Sequence, residues 1–297
     1  MKVTLVKRYF TIVGLLLITG LTITAGGICK QENKPEVISL LGVSLYATPA
    51  EGVELRKLEL ELAEAEAAYK ANPSDPELLI MYGRRTAYLW RYHEAIEIYS
   101  QGLEQFPENE MLYRHRGHRY ISIRDFDRAV DDLTIASLLN GSDFDIWYHL
   151  GLAQYLKGDF AAAEQSYLQC LTTAVDDDSL IAISNWLYIT LRRQGRMGEA
   201  ESVLARITEF MEVVENGSYY GLLLFYKGMK SEEELVAESA GSELERATIS
   251  YGLGCWHLYN GNPVKAEEYF RTCVSGKYWP AFGFITAEAE LARANRR

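Results

Sequence analysis

Two small residues recur in step along the middle of this chain. Gly83, Gly117 and Gly151 are spaced at 34 residues, as are Ala95, Ala129 and Ala163, and each alanine follows its glycine by 12. One helix has a period of 3.6 and one strand a period of 2, so neither produces such a spacing. A repeated pair of short helices does. A single pair of that size cannot bury its own apolar face, so neighbouring pairs must stack into an all-α solenoid with an extended binding surface.

The rest of the repeat fits that reading. Leu79, Tyr113 and Trp147 stand four residues before the glycines, and Tyr99, Leu133 and Tyr167 four residues after the alanines, followed by Gly102, Ala136 and Cys170. Large side chains at one turn's spacing fill the space between two helices, and the small ones let the backbones approach. Pro73 and Pro107 are also 34 apart, placed between helices where a missing N–H costs least. This set resembles the tetratricopeptide repeat, with departures at Tyr82 and Arg116, where the family has leucine, and at Gly141 and Val175, where it has proline. The resemblance implies a right-handed α-solenoid of stacked antiparallel helix pairs. Well-formed copies are expected at 76–109, 110–143 and 144–177, within a repeat region spanning 51–297.

Beyond those copies the register slips. Ala200 lies 37 residues after Ala163, which places three extra residues at Asp176-Asp177-Asp178, read as a solvated turn. Residues 178–240 read as degenerate repeats, with Ser218 to Ala240 a shortened pair hinged at Lys227-Gly228. Gly254 and Ala266 restore the 12-residue spacing within 243–276, followed by Phe270 and Cys273. A lone helix carrying Leu55, Leu58, Leu62, Ala65 and Tyr69 precedes the first copy, and 281–295 reads as a capping helix with Arg293, Arg296 and Arg297 at its C-terminal end.

The first 28 residues differ in kind. Lys2, Lys7 and Arg8 precede an uncharged stretch from Tyr9 to Ile28, the pattern of an export signal or a membrane anchor. Ala25, Gly26 and Gly27 suit signal cleavage. Cys29 raises lipidation as a third route, although Ile28 stands where a lipoprotein motif has a small residue. Each route places the repeats outside the cytoplasm, because the positive flank stays inside. Residues 29–50 then form a linker whose apolar patch, Ile38 to Tyr46, is expected to dock on the first helix.

The formal net charge is −11, and removing residues 1–28 with their three cations makes it −14. That excess of acid argues against nucleic acid as a partner. Cys170 and Cys273 occupy matching small positions and read as core residues, and no CxxC pair is present. His115 and His149 are 34 apart and therefore equivalent positions on neighbouring first helices, without the further ligands that a metal needs. No nucleophile, phosphate-loop, metalloprotease or dinucleotide motif occurs, so no enzyme activity and no cofactor are expected.

One cluster stands out. Arg84, Arg85, Arg114, His115, Arg116, His118, Arg119 and Arg124 crowd two first helices of an acidic chain. In the family that the repeat resembles, first helices line a concave groove. Its groove positions fall here on Glu77, Ile80, Arg84, Ala87 and Tyr88, then Met111, Arg114, His118, Ile121 and Ser122, then Asp145, Tyr148, Leu152, Tyr155 and Leu156. The resemblance thus implies a protein or peptide partner, with an acidic segment, held by Arg84, Tyr88, Arg114, His118, Tyr148 and Tyr155. The competing reading gives the arginines to internal salt bridges. The lysines and asparagines with which chaperone-binding relatives grip a terminal carboxylate are replaced here by Ile80, Arg84 and His115. The functional expectation is a non-enzymatic interaction scaffold of the cell envelope. The alternatives are a part of a surface assembly machine and a binding protein for a small anion.

Overall fold

The computed structural model describes residues 34–295. The signal or anchor expected at 1–28, the lipidation expected at Cys29, and Arg296 and Arg297 lie outside the described residues. A small antiparallel hairpin, β1 (Val37–Ile38) with β2 (Ser44–Leu45), opens this part, and α-helices α1 to α14 make up nearly all the rest. None of these helices is long and apolar enough to cross a membrane.

After the lone α1 (Gly52–Ala71) come three helix pairs: α2 (Pro76–Tyr88) with α3 (Tyr92–Gln105), α4 (Glu110–Ser122) with α5 (Phe126–Leu139), and α6 (Phe144–Lys157) with α7 (Phe160–Thr173). The small residues act by contact. A Cβ added to Gly83 would fall 2.3 Å from the Tyr99 ring, and one added to Gly151 would fall 2.4 Å from the Tyr167 ring, so only glycine lets these helices close. Ala95, Ala129 and Ala163 are fully buried on the opposing helices.

The ends of the helices repeat as faithfully as their cores. Asp75, Asn109 and Asp143, again 34 apart, cap α2, α4 and α6 by accepting backbone N–H bonds from Glu77, Leu112 and Ile146 at 2.9–3.0 Å. The turn inside each pair places one residue in the left-handed region: Trp90 (φ 58°), Arg124 (φ 67°) and Gly158 (φ 91°), also 34 apart. Glycine adopts that conformation freely, whereas tryptophan and arginine do so at a cost of ~1–2 kcal/mol.

The chain continues through α8 (Asp177–Arg193) and α9 (Met197–Leu204), then α10 (Gly217–Tyr226) and α11 (Glu232–Glu238), with Gly228 (φ 73°) between the last two. The three-aspartate stretch is not a solvated turn. Asp176 caps α8 in a reciprocal capping box, and Asp177 and Asp178 form its first turn. Asp178 also accepts backbone N–H bonds from Val214, Glu215 and Asn216, and so pins the loop before α10. A sixth pair, α12 (Glu243–Tyr259) with α13 (Pro263–Val274), repeats the glycine contact at Gly254 against Phe270, and α14 (Phe282–Ala294) follows it.

What the periodicity does not foretell is the position of the C-terminal half. The segment from Tyr278 through α14 runs along the inter-helix turns of all three regular pairs. Trp90 packs edge-on against Tyr278 and Trp279, with centroids 5.3 and 5.4 Å away. Arg124 binds Glu288 at 2.8 Å and the Trp279 carbonyl at 3.1 Å. Beside Gly158, Arg293 donates to the carbonyls of Tyr155 and Leu156 at 2.9 and 2.6 Å, which satisfies the C-terminal end of α6. The N-terminal patch joins the same junction rather than bonding to α1: Glu36 bonds to His93, and Trp279 donates to the Tyr46 carbonyl at 2.9 Å.

Candidate functional site

The first helices α2, α4 and α6 do line one inner face, yet most of that face is already occupied. In the third copy Tyr148, Leu152, Tyr155 and Leu156 are buried. The Tyr148 hydroxyl meets Trp186 Nε1 at 2.7 Å and the Tyr219 hydroxyl at 3.3 Å. The Tyr155 hydroxyl accepts from Tyr251 at 2.9 Å and lies 3.2 Å from Tyr259. Tyr148 and Tyr155 are therefore core residues, and the expectation that they contact a partner is corrected. Their groove is filled by α8, α10 and α12, because the chain is long enough to turn back into its own concavity.

The second copy is partly closed in the same way. His118 is half-buried, 4.3 Å from the His149 ring centroid and 5.3 Å from that of Phe282. Burial, followed by the nearby Arg119, His149 and Arg114, holds its pKa well below 6.5, so it is neutral at pH 7. His118 is a packing residue there and not the charged contact that the sequence suggested. His115 is pushed down to about 2 and His149 to about 3, in each case first by burial and then by Arg114. Arg114 pairs with Asp145 and donates to the His115 ring.

The competing, internal reading holds for most of the basic cluster. Arg85 pairs with Glu61 at 2.7 Å and Arg124 with Glu288 at 2.8 Å. Arg116, standing where the family has leucine, makes a two-pronged bond to buried Asp132 at 2.7 and 2.8 Å and a third bond to Ser100. Arg84 and Arg119 differ: neither has a carboxylate partner among the described residues. Arg84 donates to the Tyr88 hydroxyl at 3.2 Å, and Tyr88 is 43% exposed, so these two side chains remain available at the surface.

Arg119 opens onto a cavity of about 460 Å³ at the open end of the inner face. Its walls are the start of α1 (Leu58), the ends of α2 and α4 (Tyr88, His118, Arg119), the turn and start of α3 (Trp90, Tyr92), and the returning segment (Tyr278, Phe282). The Arg119 guanidinium lies 5.2 Å from the Tyr92 ring centroid and makes no ion pair among the described residues. Burial lowers its pKa from 12.5, leaving it a cation at any working pH. The one carboxylate on the rim, Glu54, is exposed and faces Lys57 at 3.8 Å. Of the six residues expected to bind a partner, the cavity thus brings together Tyr88 and His118, with Arg84 beside Tyr88. Arg119 belonged to the basic cluster in the sequence but stands one position past the family's groove residue, so the resemblance passed over it.

Among the described residues no group of three or more His, Cys, Asp or Glu is placed to hold a metal ion, and Cys170, Cys255 and Cys273 are buried free thiols. Comparison with known proteins agrees with the geometry of the stacked pairs. The pattern described as Tetratricopeptide repeat matches residues 114–179. The chain carries tetratricopeptide repeats. Its repeat region is similar to the small glutamine-rich tetratricopeptide repeat-containing protein 2 of Saccharomyces cerevisiae, 27% identical over 42% of this chain and 35% of that protein. It is also similar to the BBSome complex member BBS4 of Xenopus tropicalis, 24% identical over 52% of this chain and 30% of that one. The chain therefore spans about a third of the length of these curated relatives. A solved tetratricopeptide repeat protein from Parabacteroides merdae shares the fold at a TM-score of 0.50 and 18% identity, over 81% of this chain and 94% of its own. Tetratricopeptide repeat proteins generally act as protein-interaction scaffolds.

Proposed function

We propose that this protein is a non-enzymatic interaction scaffold of the cell envelope which receives an acidic segment of a partner protein at the open end of its inner face. One observation carries the reading. In a chain of net charge −11, the part of the inner face left open by the C-terminal half presents Arg84 and Arg119 without carboxylate partners among the described residues, beside the exposed Tyr88. Arginine and tyrosine are the residue types that dominate binding energy at interfaces, and long-range attraction would draw an acidic segment to this end of an otherwise repelling body. The envelope location rests on the Lys2, Lys7 and Arg8 flank ahead of the uncharged stretch to Ile28.

A photo-crosslinking side chain at Tyr88 in the full-length protein, expressed in its own cells, tests both parts. The expected product is one discrete partner from the envelope fraction, lost when Arg84 is changed to Glu and weakened by salt, since exposed charges are screened within ~8 Å at physiological ionic strength. A crosslinker at Val175, which is 91% exposed and far along the chain, serves as the control. Equal capture from both positions, or capture untouched by Arg84→Glu, would overturn the assignment of the surface. A full-length chain found only in the cytoplasmic fraction would overturn the location. A second reading, a binding protein for a small anionic ligand, is favoured by the cavity's volume of about 460 Å³, which lies within the ~300–1,000 Å³ of small-molecule sites.

A further inference from the structure

The arginines around the cavity form a natural comparison set. Arg85, Arg114, Arg116, Arg124 and Arg128 each have a carboxylate, Glu61, Asp145, Asp132, Glu288 and Asp125 respectively. Arg119 sits among them, is half-buried, and faces an aromatic ring instead. A cation withdrawn from water without a partner is costly, and its attraction to a ring offsets only part of that cost. Packing gives no reason for a guanidinium at this position, where a methionine would fill the same space without the charge. What the surroundings do supply is a second set of hydrogen-bond donors: Tyr92 and Tyr278, each carrying a hydroxyl, line the same cavity. The remaining walls are flat and apolar, from Trp90, Tyr88 and Phe282.

We infer that this cavity binds one carboxylate carried on a flat apolar body, with Arg119 as counter-ion and the Tyr92 and Tyr278 hydroxyls as flanking donors. The inference rests on the reading of this opening as the partner site and names what sits at its base: an acidic side chain next to an aromatic one, or a free acid of the same chemistry. A guanidinium grips a carboxylate through two parallel N–H bonds. The site suits a single negative charge, because Arg119 is the one cation among its lining residues. Arg114 is held by Asp145, Arg84 lies outside the lining beside Tyr88, and His118 is uncharged. A phosphate dianion would leave one charge unmatched among aromatic rings.

The test uses the full-length protein and isothermal titration calorimetry at moderate salt. The probes are 4-phenylbutyrate, its uncharged analogue 4-phenylbutanamide, and an end-blocked Gly-Asp-Phe-Gly peptide with its Gly-Asn-Phe-Gly counterpart. The acid is expected to bind at least tenfold more tightly than the amide, and Arg119→Gln to abolish the difference while leaving the melting temperature unchanged or higher. Equal affinity for acid and amide, no binding of either, or full binding by a folded Arg119→Gln variant would each overturn the inference. If Arg119→Gln melts much lower, the residue is structural, and the acid–amide comparison on the unaltered chain still decides. Binding of phenylbutyrate without the Asp peptide would keep the carboxylate site and remove the acidic partner segment, so the two proposals fail separately.

Discussion

At the scale of single residues, the departures from the repeat pattern say more than the matches. Arg116 occupies a site that the family gives to leucine, and the structure compensates with buried Asp132 one helix away and with Ser100 on the previous pair. Such a pair contributes little net stability, because both charges lose their water, yet breaking it leaves one of them stranded. Arg116→Leu, although it restores the family residue, is therefore expected to cost ~3–5 kcal/mol through unpaired Asp132. The double change Arg116→Leu with Asp132→Leu should recover most of that loss. Urea unfolding of the two variants beside the unaltered protein checks this, and a double variant no more stable than the single one would show that the ion pair is not what the site depends on. Arg116 was visible in the sequence as an anomaly. Its partner was not, since several acids lie within one repeat and only the helix–helix geometry selects Asp132.

At the scale of helices, spacing is set by the small residues and turning by the left-handed positions. Ala129 is fully buried where α5 meets α4, and overpacking of such a contact typically costs ~1–3 kcal/mol. Ala129→Leu should therefore lower stability by that amount, whereas Ala174→Leu, at the partly exposed end of α7, should stay within about 0.5 kcal/mol. Equal losses at the two positions, measured by thermal or urea unfolding, would contradict the helix register described here. The turns carry a second lesson. Trp90 and Arg124 hold a conformation suited to glycine, and both grip the returning C-terminal segment, Trp90 through Tyr278 and Trp279 and Arg124 through Glu288. Local strain of this kind persists where tertiary contacts outweigh it. In the third pair, where glycine relieves the strain, the clasp is supplied from the other side by Arg293.

At the scale of the molecule, the decisive feature is that the repeats close on themselves. Three imidazoles are withdrawn from water here: buried His149 and half-buried His118 pack against Phe282, and buried His115 stacks on Tyr99. They face Arg114 and Arg119 from α4, with Asp145 at the start of α6, and all three are neutral in the folded state. Unfolding returns each to an ordinary pKa of ~6.5, so below that pH the unfolded chain takes up protons that the folded one refuses. The stability they support is complete above pH ~6.5 and is lost as pH falls, by up to about 1.4 kcal/mol per pH unit for each histidine. Unfolding midpoints at pH 7.5, 6.5 and 5.5 should fall across the acidic half of this range, and His149→Gln should flatten the slope by about one third. Parallel slopes for the two proteins would mean that His149 is not kept neutral by this packing.

The sequence alone determined the helix pairs, because the small, large and turn-forming positions that build them are local and recur every 34 residues. A glycine whose added Cβ would fall 2.3–2.7 Å from the large side chain opposite leaves no room for another residue, and this holds at Gly83, Gly117, Gly151 and Gly254. The hairpin at Val37–Leu45 leaves no mark in the sequence pattern, since strands of two residues are too short to show an alternation. The state of the groove was also beyond the sequence. Family register placed Tyr148 and Tyr155 on the inner face, as the structure does, but whether that face is open depends on contacts more than a hundred residues away, such as Tyr155 with Tyr259 and Arg124 with Glu288. No periodicity encodes those contacts. They arise because the later repeats shorten, change the path of the stack and bring α12 and α14 back against the earlier ones, and only that return gives Arg124 its partner Glu288 and adds Tyr278 and Phe282 to the cavity that Arg119 faces.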